Sequence, residues 1–210
     1  MTVDRERVAA LTRELLEAIG EDPERPGLTQ TPQRVAEMYA EFFSGVGEDA
    51  SGHLAHPISV SHGPAPETVA SGAVVLRGIR FRSVCEHHLL PFAGTAHLAY
   101  LPGEHVVGLG AMVKVVETLA ARPQVQERLG EQIAEAIADS LDAHGVLVVL
   151  DAVHGCVTAR GARQADSSTL TVAARGVYTD LAARAEIVAL IGGDRPSSPS
   201  ATPASPRDHR

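Results

Sequence analysis

The sequence is poor in aromatic side chains and in basic charge. Aromatic residues make up 3% of the 210 positions, and tryptophan is absent. This scarcity excludes an aromatic platform on which single-stranded bases stack. The 18 basic residues are outnumbered by 26 acidic ones, which gives a formal net charge of −8. That balance argues against a nucleic-acid partner and against binding to an anionic membrane surface.

Cysteines are also few, and long apolar runs are missing. Cys85 and Cys156 are the only two cysteines and lie 71 positions apart, so the chain lacks the disulfide framework of small secreted proteins. No stretch approaches the roughly 20 apolar residues of a membrane helix. Residues 1–20 carry charges throughout, unlike a signal peptide. We therefore expect a cytoplasmic protein whose thiols stay reduced and available to a metal.

The hydrophobic share of 44% is enough for one folded domain with appendages. Apolar residues recur at helical spacing over residues 4–20. Thr31 followed by Pro32 is the cap-and-proline pattern that opens a second helix, which is expected to end near Gly45. Residues 46–70 show weak periodicity and are predicted to be a long connection. The predicted regions are N-terminal helices and the connection (1–70), the main domain (71–191) and a disordered Pro/Ser-rich tail (192–210).

The main domain shows a change from strand to helix patterns and back. Apolar and charged residues alternate over 74–84, which predicts a strand bent at Gly78. The order β-β-α-α-β-β predicts an antiparallel sheet with helices on one face, which is an α+β fold. The further predicted elements are a strand at 94–103, helices over 110–121 and from Pro123, strands at 146–157 and 168–178, and a last helix over 179–191.

Both cysteines lie beside histidines at the ends of apolar strands. Cys85, His87 and His88 follow the first strand, while His154 and Cys156 end a later one. Two strands of one sheet can bring these ends together. Cys85, His88 and Cys156 would then form a Cys₂His set, which is typical of a catalytic zinc site with an open position. A closed structural zinc site needs a fourth ligand, which His87 or His154 could supply.

A plainer interpretation applies to each of these residues alone. A single cysteine usually behaves as a small buried hydrophobe, and histidines in a loop are often only solvated. The placement of both cysteines next to histidines favours a metal site over that interpretation.

These residues lie within segments that resemble one enzyme family, GTP cyclohydrolase I. The resemblance runs in order from about Gly27 to Tyr178. Since it is continuous, no single motif has to support it. The segments are GLTQTPQRVAEMYAEFFSG, VCEHHLLPFAG, AYLPGEHVVGLG, RPQVQERLGEQIAEAI and DAVHGCVTARGAR.

The resemblance implies a fold, an assembly and a reaction. The fold is the tunnelling fold, with ββααββ order, in a homodecamer of two face-to-face pentamers. The reaction opens the imidazole ring of GTP at C8, releases formate and yields 7,8-dihydroneopterin triphosphate for tetrahydrofolate or another pterin or deazapurine pathway. Zn²⁺ is the implied cofactor, and Cys85, His88 and Cys156 match its ligands. Zinc lowers the pKa of bound water toward ~7 and so supplies a nucleophile at neutral pH.

The resemblance also assigns the remaining site residues. His154 matches the proton donor to N7 of the purine, and His87 matches a second active-site histidine. Histidine suits proton transfer because its unperturbed pKa is about 6.5. Glu127 matches the carboxylate that reads guanine, with Gln126 beside it, although a first-turn helix acid is the plainer interpretation of Glu127. Arg34 and Arg160 match triphosphate-binding arginines.

One segment departs from the family pattern. Gly110 and Ala111 stand where the family usually has Ser-Lys, and Lys114 stands where it often has Arg. Lys114 is the only lysine beside 17 arginines, a bias typical of a GC-rich genome. A lost charged phosphate contact costs roughly 1.5–3 kcal/mol. The departure leaves open a slow cyclohydrolase, a triphosphate held by Lys114, or a paralogue hydrolysing a related purine nucleotide.

Two interpretations without catalysis remain. A nucleotide-binding subunit of a mixed oligomer would bind nucleotide without releasing formate, and a structural zinc protein would bind no small ligand. The matches at Gln126, Glu127 and Arg160 argue against the structural zinc protein.

Overall fold

Two helices begin the chain in the computed structural model, which describes residues 2–60 and 72–193. Helix α1 (Arg5–Ala18) starts after Asp4, whose side chain accepts a hydrogen bond from the backbone N–H of Arg7. Helix α2 (Thr31–Phe42) packs against α1 and has Pro32 in its first turn, as predicted. Gln30 occupies the cap position, so Thr31 is the first helical residue and not the cap.

The main domain follows the predicted order, with several short additions. Its short segments include 3₁₀ turns at Ala50–Leu54 and Val177–Thr179. Its strands and helices are β1 (Ile58–Ser59), β2 (Val74–Cys85), β3 (Pro91–Leu101), β4 (His105–Val106), α3 (Leu109–Ala120), β5 (Pro123–Gln124), α4 (Gln126–Leu141), β6 (Gly145–His154), α5 (Gly155–Thr158), β7 (Thr169–Gly176) and α6 (Leu181–Gly192).

The five-stranded sheet has the order β5-β2-β3-β6-β7. Strands β2, β3, β6 and β7 pair antiparallel, and β5 pairs parallel with the end of β2. The register shifts between Leu76 and Ile79, where Gly78 has a φ of +77°. A positive φ suits glycine, so the bend predicted at Gly78 is confirmed. Strands β1 and β4 form a separate two-stranded sheet.

The two faces of the sheet bury different helices. Helices α3 and α4 cover one face, where Val116 and Ile133 join Val146, Val148 and Leu150 in the larger core. Helix α6 packs on the opposite face, because the alternate residues of β6 point that way. The second core contains Ala99, Leu147, Val149, Tyr178, Ala183 and Ile187. The ββααββ unit with its two helices on one face is therefore confirmed, and α6 adds a layer on the other face.

Several boundaries differ from the sequence prediction. The strand predicted over 146–157 ends at His154, because Gly155–Thr158 form the helical turn α5. The helix expected from Pro123 begins at Gln126, because Pro123 and Gln124 form β5 beside the end of β2. The predicted connection over 46–70 contains a 3₁₀ turn and β1 in its described part, and residues 61–71 lie outside the described residues. The predicted tail also lies outside them from residue 194 onward.

Apolar side chains on several elements face away from both cores. Leu11 and Leu15 on α1 and Ile19 directly after it are 53%, 60% and 66% exposed. On the edge strand β7, Leu170 is 65% exposed. Among the helices of the described residues, none has both the length and the apolar character needed to cross a membrane.

Candidate active site

The two predicted cysteine- and histidine-containing segments, 85–88 and 154–156, meet at one end of the sheet. Strand β2 ends at Cys85, β3 begins at Pro91 and β6 ends at His154. Antiparallel pairing places Val84 opposite Pro91 and Phe92 opposite His154. The end of β2, the start of β3 and the end of β6 therefore lie side by side, as expected from the strand order.

The turn between β2 and β3 presents the first motif. The N–H of Cys85 donates to the Leu90 carbonyl oxygen at 2.9 Å, and the N–H of Leu89 donates to the Cys85 carbonyl oxygen at 2.8 Å. Leu89 has a φ of +52°, an uncommon conformation for a residue with a branched side chain. This tight turn buries Cys85 and leaves His87 and His88 exposed.

A glycine allows the second motif to reach the same place. Gly155 connects β6 to the single helical turn α5, which carries Cys156. A Cβ atom at Gly155 would lie 2.8 Å from the Pro91 carbonyl oxygen, closer than real Cβ contacts allow. The absence of a side chain therefore lets α5 approach β3.

The two thiols lie near enough for the Cys85 thiol to act on the pKa of Cys156, and neither is in a disulfide. The Cys85 Sγ atom also lies 3.7 Å from Nδ1 of His87. Burial first, and then the neighbouring Cys85 thiol, raise the pKa of Cys156 above its ordinary value, while Arg160 acts in the opposite direction. Two reduced thiols beside an imidazole are a donor set that suits a soft metal ion.

His88, the third predicted ligand, faces a different partner. Its Nε2 accepts a hydrogen bond of 2.8 Å from Nη1 of Arg160. Within residues 2–60 and 72–193, no group of three or more histidine, cysteine, aspartate or glutamate side chains is arranged to hold a metal ion. The thiol pair and the adjacent imidazoles fit the chemistry of a Cys₂His site, but His88 must leave Arg160 to complete it.

Gln126 is the best-connected side chain of the site. It is 1% exposed. Its amide nitrogen donates to the carbonyl oxygens of Leu150 and Thr169 and to Oγ1 of Thr171, at 3.1, 2.8 and 3.1 Å. Three acceptors around one nitrogen fix the orientation of the amide. The Oε1 atom therefore faces His154 Nε2 at 2.7 Å as an acceptor, and that ring nitrogen carries a hydrogen.

His154 is also held by an aromatic ring. The imidazole stacks on Phe92, with ring centroids 4.6 Å apart and planes 4° apart. Burial lowers the pKa of His154, and the charge of nearby Glu127 raises it to a smaller extent. Glu127 itself is exposed in the first turn of α4. The ring of His154 is thus fixed in place close to the Glu127 carboxylate.

Sequence reasoning did not identify Phe92, Leu150, Thr169, Thr171 or Gly155 as parts of the site. Their contributions come from strand pairing and side-chain packing, which have no signature in residue spacing. The stacking of Phe92 on His154 follows only once the β3–β6 register is known.

Two predicted phosphate-binding residues lie elsewhere in the chain. Arg34 is exposed on α2, and its Nη2 donates to Oε1 of Gln30 at 2.7 Å. Lys114 is exposed on α3 and lines a cavity of about 270 Å³ with His53 and Thr118. The other eight predicted residues lie near this end of the sheet in two connected groups: Cys85, His87, His88, Cys156 and Arg160 form the first, and Gln126, Glu127 and His154 form the second.

Fold and site together define an α+β protein with a cysteine- and histidine-lined site at the strand ends of a ββααββ sheet. Residues 8–192 match the GTP cyclohydrolase I family. The chain belongs to that family, which confirms the resemblance seen in the sequence and makes it a member of an enzyme family.

Curated relatives agree with this assignment over nearly their full length. The chain is 60% identical to GTP cyclohydrolase 1 of Leifsonia xyli subsp. xyli, covering 90% of this chain and 96% of that protein. It is 50% identical to the Rhodopirellula baltica protein of the same name, covering 90% and 80%, and 48% identical to that of Bacillus subtilis, covering 89% and 95%. The apo crystal structure of an archaeosine synthase QueF-Like protein aligns with a TM-score of 0.42 and 19% identity, over 50% of this chain and 94% of that one.

Proposed function

We propose that this protein is a zinc-dependent GTP cyclohydrolase acting in the cytoplasm. GTP and water would give formate and 7,8-dihydroneopterin triphosphate. Membership in the GTP cyclohydrolase I family supports GTP as the substrate. The observation that carries the proposal is the proximity of two free thiols, with His87 3.7 Å from Cys85, at the same end of the sheet as the fixed His154.

Cys85, Cys156 and His88 are the residues proposed to hold the zinc ion. When bound, zinc supplies Lewis-acid chemistry for hydrolysis at neutral pH. For His88 to join the two thiols, its hydrogen bond to Arg160 has to be released. The release frees the Arg160 guanidinium, and a guanidinium is well suited to bind a triphosphate.

His154 is proposed as the proton donor to the purine. Its Nε2–H is taken by Gln126 Oε1, so the proton that it transfers must be at Nδ1. Burial lowers the pKa of His154, which makes its protonated form a stronger acid than an exposed imidazolium. We assign Gln126 to holding this ring and not to reading guanine, because the amide is already used by protein groups.

Glu127 and His87 complete the proposed site. Both are exposed, and the charge of Glu127 acts on His154. One carboxylate can accept hydrogen bonds from N1–H and the exocyclic amine of guanine, which adenine does not offer together. His87, in contact with Cys85, is the second histidine available for proton transfer.

Arg34 and Lys114 are proposed to bind the triphosphate in the assembled protein. Neither belongs to the cluster around the thiols of its own chain. If they contact the same nucleotide, a second copy of the chain must supply them. The exposed apolar residues on α1 and β7 support a homo-oligomer, which we propose to be a decamer of two pentamers.

The proposal is tested by incubating purified, zinc-loaded protein with GTP. We expect formate together with a product that becomes fluorescent on oxidation. Nucleotide binding without formate release would contradict the proposal. A related purine nucleotide is the second candidate substrate, favoured by Gly110 and Ala111 in place of Ser-Lys, and its turnover in the absence of GTP turnover would support that candidate.

A further inference from the structure

A bidentate ion pair joins the turn at residues 85–88, which is proposed to hold the metal, to helix α4. Nη1 of Arg128 lies 2.6 Å from Oε2 of Glu86, and Nη2 lies 3.1 Å from Oε1. The side chains are 47% and 33% exposed. Both terminal nitrogens of the guanidinium are engaged, so Arg128 does not resemble a free phosphate-binding arginine.

The pair connects two parts of the proposed site, which are the turn at residues 85–88 and the first turn of α4. Glu86 lies between Cys85 and His87, and its backbone N–H donates to the Gln124 carbonyl oxygen at 3.0 Å. Arg128 follows Glu127 directly and lies in the first turn of α4. A change in this pair would therefore shift the turn relative to the residues that start α4.

We propose that Glu86 and Arg128 are positioning residues, which set the distance between the turn at 85–88 and the first turn of α4. The inference rests on the proposed function, since that function places a metal at the turn and guanine at the start of α4. Neither side chain is assigned a contact with metal or nucleotide. Displacing reacting groups by about 1 Å can reduce a rate by about a hundredfold, so a small shift here has a large effect.

The geometry distinguishes this pair from a random surface contact. Exposed ion pairs contribute little to stability unless they are bidentate and well ordered. The hydrogen bond from Arg128 is the main cause that lowers the pKa of Glu86, and the hydrogen bond to Glu86 raises the pKa of Arg128. Because both side chains are partly exposed, we expect the loss of this pair to alter the placement of the turn and the start of α4 more than the free energy of unfolding.

The test compares Glu86→Gln, Arg128→Gln and the double variant with wild type. Zinc affinity of the nucleotide-free protein is measured by competition with a chelator, and kcat and KM are measured with GTP. We expect each variant to lose zinc affinity and kcat about tenfold, with KM changed less than about threefold. The double variant should lose no more than a single one, because each side chain acts through the other.

A second ion pair, which joins Glu131 of α4 to Arg175 of β7, is the matched control. Arg175 Nη2 lies 2.5 Å from Oε2 of Glu131, and these side chains are 36% and 49% exposed. Glu131→Gln and Arg175→Gln should leave zinc affinity and kcat within about twofold, and melting temperatures verify that all variants fold. Arg128→Lys, which keeps the charge but not the two-pronged geometry, should behave like Arg128→Gln.

Unchanged zinc affinity and kcat, or additive losses in the double variant, would overturn the positioning role. If wild type releases no formate from GTP, the proposed function fails, and the zinc affinities alone decide this inference. A non-additive loss of zinc affinity then still supports the pair, and unchanged or additive affinities overturn it.

Discussion

Gln126 links the start of α4 to the histidine at the end of β6. Its buried amide is held by three oxygen acceptors, so Oε1 can accept only from the direction of His154. A histidine held in this way has a fixed tautomer without needing a carboxylate partner. One side chain thus determines which nitrogen of His154 is left free for the proposed proton transfer.

Gln126→Met should reduce kcat for GTP by about ten- to a hundredfold, because the His154 ring loses the partner that orients it. Zinc content should not change. Gln124→Met is the matched control, since Gln124 is also buried (2% exposed) but its amide binds Leu119 and Gln132. Equal losses of kcat in the two variants would mean that Gln126 acts only through stability.

Cys156→Ala should abolish both zinc binding and formate release, because only one thiol and one imidazole then remain of the proposed donor set. Metal content and turnover are measured on the same sample, and sedimentation reports the oligomer. We expect the proposed oligomer to remain, since Cys156 is only partly buried against the larger core and alanine removes a single sulfur atom there. Turnover that persists in this variant would rule out the zinc mechanism.

The elements that bring the motifs together were largely predictable. The strand at 74–84 was expected from its alternation and that at 146–157 from its apolar run, and two strands of one sheet can bring such ends together. The start of α4 was not predicted, because the pairing of Pro123 and Gln124 with β2 is a long-range contact. The His88–Arg160 hydrogen bond was not predictable either, since it depends on side-chain conformation and not on spacing.

Gly155→Ala should weaken zinc binding by at least about tenfold, because an added Cβ would collide with the Pro91 carbonyl and displace α5 with Cys156. Gly52→Ala is the control, since a Cβ there meets nothing within 4 Å. Zinc affinity is measured by chelator competition and stability by thermal unfolding. Equal zinc affinity in the two variants would show that α5 tolerates the side chain.

Two of the predicted phosphate-binding residues lie apart from the thiols within a single chain. Lys114 and Arg34 lie on α3 and α2, outside the cluster that contains both thiols. The exposed leucines on α1 and β7 are surfaces that the proposed oligomer would cover. Shared sites between copies are therefore expected, with thiols from one chain and phosphate-binding cations from another.

Mixed oligomers test this sharing. Lys114→Ala should lower kcat/KM for GTP by about ten- to a hundredfold, as expected for a lost charged phosphate contact. The Lys114→Ala protein is then dissociated and reassembled together with the inactive Cys156→Ala protein. Sites that combine intact thiols from one chain with an intact Lys114 from another should recover part of the activity.

Reassembly of Cys85→Ala with Cys156→Ala is the control for that experiment. The two thiols interact within one chain, so no combination of these variants restores a complete pair. Recovery in the control, or its absence in the Lys114 mixture, would contradict the shared site.

Hydrolysis of GTP at C8 with the help of a bound metal is the activity that we propose for this chain. The most direct test follows GTP labelled with ¹³C at C8 by NMR, using protein of measured zinc content, with GDP, GMP, dGTP and ATP tested in parallel. We predict that the label appears in formate, in step with 7,8-dihydroneopterin triphosphate, that removal of zinc stops both, and that ATP is not turned over. Label that remains in the nucleotide after incubation with zinc-loaded protein would contradict the account.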